Sequence, residues 1–236
     1  MQYTDEQLLW LVRLLLAHLA ADFLLQTRRM VENKGWFTRW MGAHIGIVIM
    51  TAFVLSTSWK ASLLIGFIHW ITDGLKTAAS RRWKNGGVLL FTGDQIIHIL
   101  SILFVWQLPG MDFSAPLLPW PDLQSSCVLL AYGFVTGPVF YIIQYALNQN
   151  RSGQAGTTLR DENKRIGQYE RMAVLTLAWF GQFIALSILM AARIWYLQKN
   201  ESDPANREHR LLAAVMGFTF ALLAGILLQQ ALSTTC

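Results

Sequence analysis

Charge is scarce in this chain: Asp, Glu, Lys and Arg make up 14% of its 236 residues, against about 25% in a typical soluble domain. With 54% hydrophobic residues beside so little charge, neither a disordered chain nor an ordinary water-soluble enzyme fits. Cysteine is scarcer still. Cys127 and Cys236 lie far apart, which excludes a disulfide framework and offers no paired redox motif. The Lys and Arg excess leaves a net charge of +5, the sign expected of a partner of nucleic acid or of an anionic membrane surface. A mean hydropathy of +0.37 decides for the membrane and against nucleic acid.

What the chain has in quantity is apolar runs. Seven are long enough for spanning helices, at 7–26, 40–58, 61–79, 88–108, 125–147, 172–192 and 211–231, given that a span needs roughly 17–25 residues. The expected fold is therefore all-α, a polytopic membrane protein with about seven transmembrane helices. The first run is read as a retained helix, because Asp5 and Glu6 stand where a signal peptide is basic. Thirteen Lys and Arg (28, 29, 34, 39, 76, 81, 82, 84, 151, 160, 164, 165, 171) fall in connections on one side and five (60, 193, 199, 207, 210) on the other. The positive-inside rule makes the richer side cytoplasmic, with the N-terminus outside and the C-terminus inside.

The segment 109–124 carries Pro109, Pro116, Pro119 and Pro121 and no Lys or Arg, the pattern of an external loop. It divides a first half, 1–108, from a second, 125–236, and 148–171 reads as a polar cytoplasmic loop. Gly42-x-x-x-Gly46 and Gly133-x-x-x-Gly137 predict close helix packing, and Gly137-Pro138 a kink.

Four of the five histidines and three of the fourteen acids lie within the first four runs. They form His18-x-x-x-Asp22, a single His44, His69-x-x-x-Asp73 and Asp94-x-x-x-His98. Side chains four apart share a helix face, so each pair presents two potential ligands in one direction. With alternating helix direction, all seven fall in the cytoplasmic half of the bilayer. Ionised aspartate at mid-membrane is costly, by roughly 2.5–3.5 kcal/mol even on the lenient insertion scale, and imidazoles with carboxylates around a divalent cation offset that cost. The donor set suits zinc first, with manganese or iron as alternatives, as one or two ions. The plainer readings are a hydrogen-bonded packing histidine, a polar network or a proton pathway.

His18 and His69, Asp22 and Asp73, and Gly35 and Gly86 are each 51 positions apart, and His44 and Asp94 are 50 apart. This spacing predicts a duplicated two-helix hairpin with a site between its copies.

The run from His18 to Gln26, His44, His69-x-x-x-Asp73-x-x-Lys76 and Phe91-x-x-Asp94-Gln95-x-x-His98 resembles the bacterial membrane-protein family called domain of unknown function 3307. The resemblance continues through Arg165-Ile166-Gly167-x-x-Glu170-Arg171 and Ala191-Ala192-Arg193. It implies a bacterial inner-membrane protein of unassigned activity. There is a more distant likeness to membrane-bound metal-dependent hydrolases.

The expected function is a metal-dependent hydrolase acting on a lipid-linked substrate, a phosphoester among the candidates, from the cytoplasmic leaflet. His18, His44, His69 and His98 would hold the metal together with Asp22, Asp73 and Asp94, and the three aspartates also supply the candidate catalytic groups. Gln26, Lys76 and Gln95 are the candidates for binding substrate. Membrane lipids are the expected surroundings. The alternatives are a proton- or metal-coupled transporter and a non-enzymatic scaffold with structural metal.

Overall fold

The computed structural model describes residues 3–83, 86–111, 119–148 and 161–233, and these are helical and connecting segments with no strand among them. They belong to two compact units, 1–130 and 131–236.

The first unit begins with α1 (Asp5–Leu19), which opens on a capping box between Thr4 and Gln7, two orphan backbone donors satisfied reciprocally. It runs directly into a π-helical turn, Ala20–Leu25, that carries Asp22. Such a turn is an α-helix widened by one extra residue, and it is found mostly at functional sites. After the short α2 (Arg28–Glu32) come α3 (Arg39–Ser56), α4 (Trp59–Arg82) and α5 (Gly87–Gln107). Thr38 and Ser58 accept from backbone N–H groups at the starts of α3 and α4, the usual polar cap. Thr57, at φ 56°, makes the sharp reversal between them.

α1 packs on α3 and α5, and α4 packs on α3 and α5, which closes four helices into a ring. Trp10, Leu14, Val48, Ala61, Ile65, Ile102, Val105 and Trp106 fill one end of its interior. The indole N–H groups there are satisfied, Trp10 donating to the Ser56 carbonyl at 3.2 Å and Trp106 to that of Gln7 at 2.9 Å. The other end is polar.

α6 (Leu123–Thr136) begins in the first unit and ends in the second, which goes on with α7 (Pro138–Asn148), α8 (Asp161–Trp179), α9 (Phe183–Asn200) and α10 (Pro204–Ser233). α6 and α7 are separated at Gly137, as its position before Pro138 predicts. α10 packs on α7, α8 and α9. At Gly225 a Cβ would lie 2.7 Å from the Leu175 carbonyl oxygen and 2.6 Å from the Ala178 Cβ, so glycine sets the approach of α10 to α8.

Five helical stretches are long and apolar enough to cross a membrane: Asp5–Leu25, Arg39–Ser56, Gly87–Gln107, Leu123–Leu147 and Pro204–Ser233. These helices are compatible with a membrane protein, and they differ from the expected seven spans at two places. α4, at 24 residues, is about 36 Å long but carries His69, Asp73 and Lys76, which lower its hydropathy. The run 172–192 is no single helix, because the chain turns between α8 and α9 at Gly181, φ +67°, a left-handed conformation that glycine adopts without steric cost.

The loop expected at 148–171 is also shorter than the sequence suggested. Residues 161–171 are already α8, since Glu, Lys, Arg and Gln are good helix formers even when polar. Residues 149–160 of that loop, 112–118 of the external loop, Lys84 and Cys236 lie outside the described residues. Gly42 and Gly46 do not mediate close packing, for a Cβ at either would meet nothing within 4 Å; on α4 it is Gly66 that receives Ile49 of α3. Gly35 and Gly86 are not equivalent either, since Gly86 caps α5 whereas Thr38 caps α3.

Candidate metal centre

The polar end of the first ring is built by side chains from α1 and its π turn, α3, α4 and α5. His18, His44, His69, His98, Asp73 and Asp94 are buried, and the side chain of Asp22 is 9% exposed. All seven sequence-predicted ligands meet there. Their ligand atoms form three overlapping groups that are close enough to hold a metal ion: His18, Asp22 and His69; His44, His69 and Asp73; and Asp73, Asp94 and His98.

His44 Nε2 lies 3.0 Å from His69 Nε2, 3.5 Å from Asp22 Oδ1 and 3.3 Å from Asp73 Oδ2. His69 Nε2 is 3.4 Å from Asp22 Oδ1, and its ring stacks on that of His98 with centroids 3.8 Å apart. His98 Nε2 lies 3.3 Å from Asp94 Oδ1 and 3.9 Å from Asp73 Oδ1. His18 joins through Asp22, 4.0 Å away, and through the Gln95 amide oxygen at 3.3 Å.

The carboxylates share a pattern. Each has Oδ2 tied to a donor; Oδ1 of Asp22 and of Asp94 faces imidazoles, whereas in Asp73 it is Oδ2 that also lies nearest His44 and His69. Asp22 Oδ2 accepts from the Gln95 amide at 3.4 Å, Asp73 Oδ2 from Lys34, and Asp94 Oδ2 from Lys76 at 2.7 Å. Oδ1 of Asp22 and of Asp94 are buried with no hydrogen-bond partner among the described residues, and so is His98 Nε2.

His98 shows what this arrangement demands. Thr72 Oγ1 lies 3.2 Å from His98 Nδ1 and within reach of the Ile68 and His69 carbonyls; with the hydroxyl proton given to a carbonyl, the Thr72 oxygen accepts from His98 Nδ1–H. In the neutral imidazole Nε2 is then a bare lone pair, and it faces the Asp94 carboxylate at 3.3 Å. Two acceptors do not face each other in a buried site without a cation or a proton between them. Charge counting agrees. Three carboxylates against Lys34 and Lys76 leave one negative charge when the imidazoles are neutral. The donor set and its unmatched acceptors therefore fit a divalent cation.

Of the three candidate substrate residues, Gln26 lies 3.1 Å from His44 Nδ1, Gln95 bridges His18, Asp22 and Asp94, and Lys76 is paired with Asp94. Gln26, eight residues after His18, is the extended residue that ends the π turn, and its amide reaches the site.

Two residues that hold the site went unread in the sequence. In the sequence Lys34 counts only as an orientation charge, yet its side chain is 11% exposed and its ammonium is paired with Asp73. The segment bearing it packs inward, with Trp36 against Gly74, where a Cβ would lie 2.5 Å from the ring, and the Trp70 indole donating to the Trp36 carbonyl. The one available signal was that three buried carboxylates require cations. Thr72 had no sequence signal of its own.

Residues 10–117 match the family model described as a protein of unknown function, DUF3307, and this segment contains every residue of the site. The Gly167-x-x-Glu170-Arg171 stretch lies beyond the match. No curated protein and no solved structure matches the chain.

Proposed function

We propose that this chain is a membrane-embedded metal-dependent hydrolase acting on a lipid-linked substrate, with a phosphoester as the first candidate. The observation that carries the reading is the set of buried acceptors, Asp22 Oδ1, Asp94 Oδ1 and His98 Nε2, left without donors inside a cluster of seven potential ligands. One or two divalent ions, zinc before manganese or iron, would be held by His18, His44, His69, His98 and the three aspartates. Such an ion acts as a Lewis acid and brings the pKa of a water it binds to roughly 7.

The chain's own groups supply the rest. Asp94, with Oδ1 free of donors and Oδ2 fixed by Lys76, is the proposed general base. Asp22 and Asp73 hold and orient the imidazoles. Gln26 and Gln95 keep ring and carboxylate orientations fixed, in the manner of partners that tune ligating groups. Lys76 has a side chain 31% exposed, so it meets an incoming anionic group while still paired with Asp94. The apolar interior at the opposite end of the ring favours a site with one entrance over a path through the membrane.

The leaflet follows from Arg28, Arg29, Lys34, Arg39, Lys76, Arg81 and Arg82, which gather at the polar end, whereas Lys60 is at the other. In a bacterial inner membrane the positive-inside rule then favours an N-terminus outside and a site facing the cytoplasm. The C-terminus reaches the cytoplasm when the second unit crosses an odd number of times. Reporter fusions test both, and a C-terminal fusion active in the periplasm overturns that assignment.

For the chemistry, elemental analysis of the purified protein is expected to find one or two divalent ions, lost in His18→Ala and His69→Ala. Asp94→Asn is expected to keep part of the metal and to lower turnover of phospholipid or isoprenoid-phosphate substrates by about 10²–10⁴-fold, the usual worth of a general base. A chelator silences the wild type. Absence of product across a broad lipid panel, together with full complementation by Asp94→Asn, ends the hydrolase reading; ion flux in sealed liposomes without product points to transport.

A further inference from the structure

The second unit contains a separate cavity of about 80 Å³, lined on its polar side by Glu170, Arg171, Arg193 and Arg210. Gly167, which also lines it, belongs with Glu170, Arg171 and Arg193 to the two C-terminal stretches singled out in the sequence. α8, α9 and α10 each contribute one arginine. From the geometry we infer that this cavity is a binding site for a phosphate oxyanion, with the head group of an anionic membrane lipid as its natural source.

The cationic side is only partly compensated. Arg193 Nε lies 3.0 Å from Glu170 Oε1, and Arg210 Nη1 lies 2.7 Å from Glu201 Oε2. Three guanidiniums face two carboxylates, which leaves one positive charge in surplus. Glu170 acts electrostatically on Arg171 as well as on Arg193 and Arg210, so the surplus is shared among the three, and it is least relieved at Arg171, which is 6% exposed. Its Nε donates to the neutral Val135 carbonyl at 2.6 Å, and its Nη2 is buried with no acceptor among the described residues. A guanidinium cannot relieve this by losing its proton, and a buried unpaired charge is costly unless a counter-ion meets it. Forked N–H groups of this kind match the oxygens of phosphate.

Size narrows the ligand. A cavity of 80 Å³ holds about two or three waters at roughly 30 Å³ each, the scale of one tetrahedral oxyanion and far below the roughly 300–1,000 Å³ of a drug-sized ligand pocket. Only a head group enters. Phe140, Ile143, Val174, Leu189 and Phe218 make up apolar parts of the lining, which suits the first carbons of an attached lipid better than a wholly hydrated ion.

The test uses the full chain in detergent micelles with three probes: inorganic phosphate, dioleoyl phosphatidic acid and dioleoyl glycerol. Native mass spectrometry and thermal shift are expected to show binding and stabilisation by phosphatidic acid and none by the uncharged glyceride. Arg193→Gln and the cavity-filling Ala214→Leu should each weaken that binding by about tenfold or more, the change expected for loss of one such contact. Metal content of the first unit should stay as in the wild type, and each variant's stabilisation is read against its own ligand-free unfolding temperature, because Arg193→Gln also removes the Glu170 ion pair. Inorganic phosphate binding as tightly as phosphatidic acid identifies the free ion as the source, and a much weaker phosphate identifies the lipid. Binding of neither anion at millimolar concentration, or binding unchanged in both variants, overturns the proposal and leaves a hydrated structural cavity.

Discussion

The two helical hairpins of the first unit, α1 with α3 and α4 with α5, present nearly the same buried face and different chemistry on it. On α1 and α4, Trp10 and Ala61, Leu14 and Ile65, and His18 and His69 are buried at positions 51 apart. On α3 and α5 the buried sets Met41, His44, Val48, Ala52, Ser56 and Phe91, Asp94, His98, Ile102, Trp106 match at an offset of 50. The π turn at Ala20–Leu25 accounts for the lost position, because it adds one residue to the first copy. Gln26 and Lys76, which follow it, are already 50 apart, and they make equivalent contacts, Gln26 with His44 and Lys76 with Asp94.

The difference lies in two places. Where the first hairpin has His44 and Val48, the second has Asp94 and His98. Where an amide meets an imidazole in one copy, an ammonium meets a carboxylate in the other, and the net charge of each pair is zero. The duplication fixes where polar groups converge, and the exchange at equivalent positions supplies both imidazole and carboxylate without adding net charge.

The largest expected effect breaks the ionic copy. Lys76→Gln leaves Asp94 buried without its cation, and in metal-free protein this is expected to destabilise by about 3 kcal/mol, the low end of the range for breaking a buried pair because Lys76 is itself partly exposed. Adding Asp94→His rebuilds the amide–imidazole pair of the first hairpin and should restore most of the loss. Unfolding of the chelated protein in detergent measures both. A double variant no more stable than the single one breaks the equivalence of the two contacts.

Gln26→Leu is the smaller change. His44 is fully buried, and this variant leaves its Nδ1 without the amide at a cost of about 1–3 kcal/mol, below that of Lys76→Gln. The same unfolding assay ranks the two, and a larger effect at Gln26 would reverse the assignment of neutral and ionic copies. Rebinding of zinc after chelation sharpens the result, since Gln26 positions a proposed ligand and its loss should weaken affinity by roughly 10–100-fold.

Much of this was legible in the sequence. The 3.6-residue period placed His and Asp on shared faces, and the recurrence at 50 and 51 pointed to the duplication before any coordinates. What was not legible depended on backbone geometry that local sequence encodes weakly. Asp22 and His18 read as an ordinary i,i+4 pair, with nothing to mark the π turn that carries Asp22. Lys34 is four residues before a helix cap and looked like any loop cation; only the inward path set by Trp36 and Trp70 brings it to Asp73. Gly181 broke a run whose hydropathy alone was sufficient for a span, because hydropathy does not register a left-handed residue.

Glycines give the smallest and most discriminating comparison. Gly42 on α3 and Gly93 on α5 stand one position out of register at the offset of 50, yet a Cβ at either meets nothing within 4 Å among the described residues. Alanine there is expected to be neutral or to stabilise by up to about 1 kcal/mol, the helix-propensity difference, with equal effect in the two hairpins and no change in metal content. Gly66 is different. Its Cβ would run into Ile49, with Cδ1 at 2.8 Å and Cγ1 closer still, so Gly66→Ala must displace that side chain at a cost of about 1–3 kcal/mol for overpacking. His69 is one turn further along α4, and His44 lies on α3 near Ile49. Forcing α3 from α4 at this point widens the 3.0 Å approach of the two Nε2 atoms. Gly66→Ala should therefore lower metal affinity as well as stability, while Gly42→Ala and Gly93→Ala lower neither. Metal content unchanged in Gly66→Ala despite reduced stability would show that helix spacing and the site are not coupled through this contact.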